Sequence, residues 1–389
     1  MSVRTVRPVR TALAATAVAA ALAVTALPST ASAATHGGGG HAGTQRALDA
    51  AVAAGVPGAL ASARLGDRTW YGEAGVADLR TGRERGARDR FRVGSITKTF
   101  TATVLLQLQA EGRLDLDDTV DHWLPGVVTG NGNDGRAITV RQLLNHTSGI
   151  YNYTEDPGFQ EKVFGPGFLR HRYDTWTPGQ LVGVALAHAP EFTPGSRWQY
   201  SNTNYVLAGM VIRKVTGRPY GEEVERRVLK PLHLTGTSVP GTRSALPAPS
   251  GRAYSKLSRE ATGPTYDVTA LNPSAASAAG EMVSTTSDLQ TFYRALLRGT
   301  LLPAAQLKEM KRTVAVDPSV TNIRYGLGLM WQKLDCGTEV WGHSGGIHGS
   351  TSNAVTTADG AHSLASNFNG DWAGDEQALA DAEFCGSGR

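Results

Sequence analysis

Phe91-Arg92-Val93-Gly94-Ser95-Ile96-Thr97-Lys98 is the stretch on which the reading of this chain turns. Downstream of it, Val104, Leu105 and Leu108 recur at helical spacing, and Gly112 stops the run. The spacing predicts a helix over Ser95 to Glu111. Ser95 and Lys98 then share one helix face. Ser95 falls in the first turn, where the helix dipole favours developing negative charge. A serine hydroxyl is a weak nucleophile until a base takes its proton. A lysine whose pKa is lowered by burial or by a nearby cation can be that base. Ser-x-x-Lys alone is a weak signal, but here it stands once, at the predicted start of a helix.

Two later segments offer partners. Tyr200-Ser201-Asn202 precedes a predicted helix over Asn204 to Val215, which places it on a loop. A phenol beside an ammonium can be pushed toward phenolate and relay protons. The Asn202 carboxamide can hold Lys98 and a substrate carbonyl together. Taken alone, this segment reads more simply as a buried tyrosine and a turn asparagine. His343-Ser344-Gly345 follows a predicted strand, Glu339 to His343. Gly345-Gly346 lets a substrate backbone approach closely. The backbone N–H groups of Ser95 and Gly346 can form an oxyanion hole. His-x-Gly also occurs at His36-Gly37-Gly38, so this triplet alone points to no more than a structural histidine.

Around these segments the chain runs from strands to helices and back. A short helix is expected near Gln45, then strands Ala59 to Leu65 and Thr69 to Val76, turned at Gly66-Asp67. Residues 113–269 read as mostly helical: Val140 to Leu144, Pro178 to Ala187, Asn204 to Val215, Gly221 to Leu229. Thr285 to Asp288 resembles a capping box that opens a helix through Leu297. Strands return at Tyr325 to Trp331, Glu339 to His343, Ser350 to Thr356 and Ser363 to Asn367, and a last helix covers Gly374 to Phe384. The predicted class is α+β. Early and late strands share one antiparallel sheet flanked by helices, built from residues 44–112 and 270–389. Residues 113–269 form an inserted, mostly helical subdomain, with a cleft where the two parts meet.

The N-terminus reads as a signal peptide. Arg4, Arg7 and Arg10 precede an apolar run of 16 residues, Ala12 to Leu27, and Ala31-Ser32-Ala33 offers a cleavage site. A membrane-spanning helix needs about 20 residues, so a retained anchor fits less well. Cleavage near Ala33-Ala34 predicts a secreted protein, and residues 34–43 read as a Gly-rich linker. Removing residues 1–33 takes away three of the 38 basic side chains, leaving 35 against 34 acidic ones, a net of +1. That balance argues against nucleic acid as a partner. Arg80, Arg83, Arg85, Arg88 and Arg90 cluster, but Glu84 and Asp89 interrupt them, and a solvated hairpin loop is expected there. Cys336 and Cys385 are the chain's two cysteines. In an oxidising compartment they are expected to form one disulfide, tying a late strand to the C-terminal helix. Five of the seven tryptophans, Trp70, Trp123, Trp176, Trp198 and Trp331, read as core or cleft walls, and His146 as the residue ordering its loop. No metalloprotease motif, phosphate-binding glycine loop or Gly-x-Ser-x-Gly elbow is present, and neither a metal nor a cofactor is implied.

Ser-x-x-Lys, Tyr-x-Asn and His-x-Gly in that order resemble the serine β-lactamase and penicillin-binding superfamily, secreted D-alanyl-D-alanine carboxypeptidases above all. The likeness extends to Asn145-His146-Thr147-Ser148-Gly149, Tyr200 to Tyr205 and Tyr325-Gly326-Leu327-Gly328-Leu329, and covers residues 44–386. The resemblance implies an acyl-enzyme on Ser95, proton exchange through Lys98 and Tyr200, and substrate binding by Asn202, His343, Ser344 and Gly345. It also implies a Cys336–Cys385 disulfide. His343 stands where β-lactamases carry the lysine of Lys-Thr-Gly, which tunes the tyrosine electrostatically. No Lys-Thr-Gly occurs here, which argues against a dedicated β-lactamase. Carboxypeptidases of this type place a carboxylate-binding arginine after Gly-Leu-Gly-Leu, where this chain has Met330, and a hydroxyl residue where it has Gly346. Arg324 is the candidate replacement. The leading expectation is therefore a D-alanyl-D-alanine carboxypeptidase-like hydrolase of D-amino-acid peptides or related amides, with β-lactams as further candidates. The alternatives are an esterase, D-aminopeptidase or D-amino-acid amidase of the same superfamily, and a non-catalytic penicillin-binding sensor.

Overall fold

The structure is a computed structural model and describes residues 40–258 and 262–386. The expected signal peptide and residues 34–39 of the expected linker lie outside the described residues. Residues 42 and 43 of that linker belong instead to the first helix, α1 (Ala42–Ala53).

A nine-stranded antiparallel sheet forms the frame. Its strands are β1 (Gly58–Leu65), β2 (Arg68–Asp78), β3 (Arg83–Glu84), β4 (Val314–Ala315), β5 (Ile323–Tyr325), β6 (Met330–Lys333), β7 (Glu339–Ile347), β8 (Ser350–Thr357) and β9 (His362–Phe368). The spatial order is β4-β5-β6-β7-β8-β9-β1-β2-β3. The early hairpin joins the late strands directly, with Ala59 opposite Phe368 and Leu65 opposite His362. Gly66 turns that hairpin at φ +61°, a conformation that costs glycine little. Tyr325 to Trp331 is not one strand. Gly326 to Leu329 form the turn of a hairpin between β5 and β6.

Each face of the sheet carries its own core. On one side α1 and the last helix, α5 (Glu376–Cys385), bury Leu48, Leu364, Phe368 and Leu379. The Cys336–Cys385 disulfide ties the end of α5 to the turn between β6 and β7. On the other side lie α2 (Thr97–Ala110), α3 (Asn202–Thr216) and α4 (Thr286–Leu297), packed through Phe100, Leu105, Tyr205 and Phe292. Helix α2 is buried all round rather than along one stripe, from Thr97 through Leu106 without a break. Its threonines can be buried because their hydroxyls find carbonyls, Thr99 at Gly328 and Thr101 at Ala278. Thr285 caps α4 by accepting from Asp288 N. The Asp288 carboxylate does not close a capping box, since it binds Gly236 N and Thr237 instead.

The arginine-rich stretch also departs from expectation. Arg80, Arg83 and Arg88 are exposed, but Arg85 is buried and donates to Asn367 Oδ1 at 2.7 Å. Asp89, buried too, accepts from Arg83. The segment is thus mostly solvated, pairs as edge strand β3, and is anchored inward through Arg85 and Asp89.

Candidate active site

Three separate elements bring the predicted residues together. Ser95 lies in a 3₁₀ turn, Gly94–Ile96, one turn ahead of α2 rather than inside it. That turn is pressed against β7. Gly94 has φ +52°, and a Cβ there would lie 2.7 Å from Gly346 N. A Cβ on Gly345 would lie 2.0 Å from Val93 O. Gly345 therefore makes room for the turn that carries Ser95, not for a substrate. Gly346 does face open space and lines the cleft with Ser95, so the two backbones that would form an oxyanion hole are adjacent.

Lys98 stands behind Ser95, fully buried. Its Nζ donates to Ser95 Oγ at 3.0 Å, Asn202 Oδ1 at 2.8 Å and Ala279 O at 2.7 Å, and lies 4.8 Å from the centre of the Tyr200 ring. Burial holds the amine well below the usual lysine range. A neutral amine has two N–H donors and a lone pair. Asn202 and Ala279 can take the donors, and the lone pair then faces the Ser95 hydroxyl. Asn202 is the first residue of α3, not a loop residue. Its amide nitrogen is directed to Thr154 Oγ1 at 3.2 Å and Asn152 Oδ1 at 3.4 Å. It thus fixes Lys98 as expected, from the floor of the cleft.

Tyr200 completes the set, with its phenol near enough to the Ser95 hydroxyl to feel it. Burial pushes this phenol up and the Ser95 hydroxyl moderates the shift, so Tyr200 is a neutral phenol rather than a phenolate. Tyr200 is half-buried, and aromatic rings pack around it. His146 packs tilted against Tyr200 at 4.3 Å, while Trp198, Tyr325 and His343 surround it at 6.3–6.5 Å. His343 is buried as well, and its pKa is lowered to about 3 by burial first and by Lys98 second. A neutral imidazole cannot supply the positive charge expected at this position. Its Nδ1 meets the Ser344 carbonyl at 2.5 Å and its Nε2 the Tyr325 hydroxyl at 2.9 Å.

Several assignments change. Ser344 is exposed and does not line the cleft. Arg324 donates to Thr313 Oγ1 at 2.8 Å. Tyr325 and His146 were not singled out as site residues. His146 does order its loop, at φ +62° with Nδ1 facing Ser201 N at 3.2 Å, but it also packs on the phenol. The cleft beside Ser95 holds about 110 Å³ of free space, with Phe164, Phe168, Trp176, Leu271 and Ile347 along its walls.

This geometry can be compared with known proteins. A D-stereospecific amidohydrolase from Streptomyces sp. is similar at 70% identity with a TM-score of 0.86, over 89% of this chain and 99% of that one. The D-amino acid amidase from Ochrobactrum anthropi SV3, in complex with D-phenylalanine, is similar at 30% identity with a TM-score of 0.75, over 87% and 97% of the two chains. Penicillin-binding protein 4* of Bacillus subtilis (strain 168) is 27% identical over 312 residues, and the match spans 75% of this chain but only 63% of that protein. The β-lactamase family profile matches residues 44–383. A match of that extent, over the stretch that folds into this sheet and cleft, makes the chain a member of the β-lactamase family of serine hydrolases.

Proposed function

We propose that this enzyme hydrolyses D-amino-acid amides through an acyl-enzyme on Ser95. The observation that carries the reading is the 70% identity to a D-stereospecific amidohydrolase over nearly the whole of that chain. The site supports it. A carboxypeptidase needs a cation for the substrate's terminal carboxylate, yet His343 is neutral and Arg324 is engaged elsewhere. An amide asks for no such cation. The earlier carboxypeptidase expectation therefore gives way to its alternative. The apolar walls suit a bulky side chain on the acyl half of the substrate.

The chemistry follows from the contacts. Ser95 Oγ bonds to the amide carbon while its proton passes to Lys98 Nζ. The carbonyl oxygen takes up negative charge between the N–H groups of Ser95 and Gly346. The proton then moves to the leaving nitrogen, with the Tyr200 hydroxyl as relay, and the C–N bond breaks. Water attacks the resulting ester, gives its proton back through Lys98, and releases Ser95 and the free acid. Lys98 and Tyr200 alternate as acceptor and donor without either resting as an ion.

Turnover of D-phenylalaninamide, L-phenylalaninamide and a D-Ala-D-Ala peptide tests the reading, with Ser95→Ala as control. Faster turnover of the D-amide is expected. A preference for the peptide's free carboxylate would overturn it. The same nucleophile and oxyanion site suit a β-lactam carbonyl, and labelling by a fluorescent penicillin that disappears in Ser95→Ala tests that extension. Residues 1–33 we assign as a secretion signal, on their basic start, apolar run and small-residue site. N-terminal sequencing of protein recovered from the medium should begin near Ala34.

A further inference from the structure

Two arginines near the nucleophile have no part in this chemistry, and both are buried. Arg85 is 3% exposed and Arg92 1%. One terminal nitrogen of Arg85 donates to Asn367 Oδ1, and its Nε lies 3.9 Å from Asp89, beyond hydrogen-bond range. That carboxylate is shared with Arg83 at 3.1 Å. One terminal nitrogen of Arg92 reaches only carbonyls, Ser244 at 2.8 Å, Leu271 at 3.1 Å and Thr269 at 3.4 Å. Glu281 acts on Arg92 through space, but it accepts its hydrogen bond from Tyr220. Three nitrogens, Nε of Arg85 and Nε and Nη1 of Arg92, meet no protein acceptor among the described residues.

Both side chains line one small, partly open pocket, together with Arg90, Arg252 and Ser350. Arg90 adds positive charge to its wall, while Arg252 is paired with Asp267 at 2.8 Å and Asp78 at 3.6 Å. A buried guanidinium with open donors and no bonded carboxylate is strongly disfavoured unless something negative meets it. We propose that this cavity is a binding site for a small monovalent anion, chloride first of all, held between the guanidinium groups of Arg85 and Arg92. The site would fasten the strand that delivers the nucleophile. The Arg92 carbonyl accepts from Ser350 Oγ at 2.7 Å, and Ser95 follows three residues later. The rival occupant is a water molecule, which could also donate to Asn369 Oδ1, a buried acceptor without a partner on the same wall.

A halide distinguishes the two. Crystals grown without chloride and soaked in bromide should give an anomalous peak within contact distance of Arg85 Nε and the Arg92 guanidinium. In solution, chloride at tenfold above its Kd should raise Tm by about 2 °C over gluconate at equal ionic strength. Arg92→Met and Arg85→Met should each abolish that difference. If either variant fails to fold, the bromide experiment on the wild-type protein decides. A cavity holding water with no anomalous signal, or equal melting in the two salts, overturns the proposal.

Discussion

Lys98 and Arg92 are buried cations on either side of the same nucleophile, and they meet burial in opposite ways. Lys98 has three protein acceptors around its nitrogen, yet burial holds its pKa well below the usual lysine range. Arg92 has open donors, yet its pKa falls only to about 10, again through burial, so it stays charged. The side-chain chemistry explains the difference. An ammonium is a compact charge that gives up its proton when desolvated, whereas a guanidinium spreads its charge and keeps it. Lysine therefore stands where a proton must move, and arginine where a fixed charge organises the backbone.

Substitutions can break or sharpen this contrast. Ser95→Ala removes the nucleophile and should lower kcat/KM for D-phenylalaninamide by roughly 10⁴–10⁶-fold. Lys98→Arg should put a fixed positive charge at this position and remove the base, a loss of about 10²–10⁴-fold. Activity near wild type in that variant would mean that charge, not proton transfer, is what position 98 supplies. Lys98→Met should be as inactive but more stable. The native pKa of Lys98 lies below its unfolded value, so between the two values the unfolded chain binds one proton more. Wild-type stability should thus rise with pH through that window, by about 1.4 kcal/mol per pH unit, until the unfolded lysine also deprotonates near pH 10.4. Denaturant titrations at several pH values should find that slope in the wild type and not in Lys98→Met.

Smaller effects are expected farther out. Tyr325→Phe leaves the His343 Nε2 buried and unpaired, which should cost about 1–3 kcal/mol of stability and a five- to tenfold fall in kcat/KM. Replacing Cys336 and Cys385 by serine should lower stability by about 2–4 kcal/mol. It should leave kcat at 25 °C unchanged, because the bridge ties the far face of the sheet.

What the sequence made legible was mostly local. The early hairpin, α3 and the late strands carry their own periodicity and turn residues. Ser95, Lys98, Tyr200 and Asn202 were legible because their motifs fall in family order, and the structure brings the four together. What escaped depends on contacts far along the chain. Arg85 sits among polar neighbours that read as solvent-exposed, while the asparagine that buries it lies 282 residues away. Gly326 to Leu329 read as part of a strand, because the apolar leucines continue its pattern. Gly328 breaks it at φ +67°, where a Cβ would lie 2.7 Å from Ala102 Cβ of α2. The neutrality of His343 and Tyr200 could not be read from residue types, since burial among aromatic rings from four separate segments causes it.

The most direct measurement is the protonation state of residue 98. NMR of protein labelled with ¹⁵N and ¹³C in its lysine side chains, with Lys98→Met to assign the signal, reads it in the resting enzyme. A neutral-amine signal at pH 7 is expected, one that becomes ammonium only on acidification. A Lys98 that remains an ammonium up to pH 10 would contradict the proposal that this amine takes the proton from Ser95.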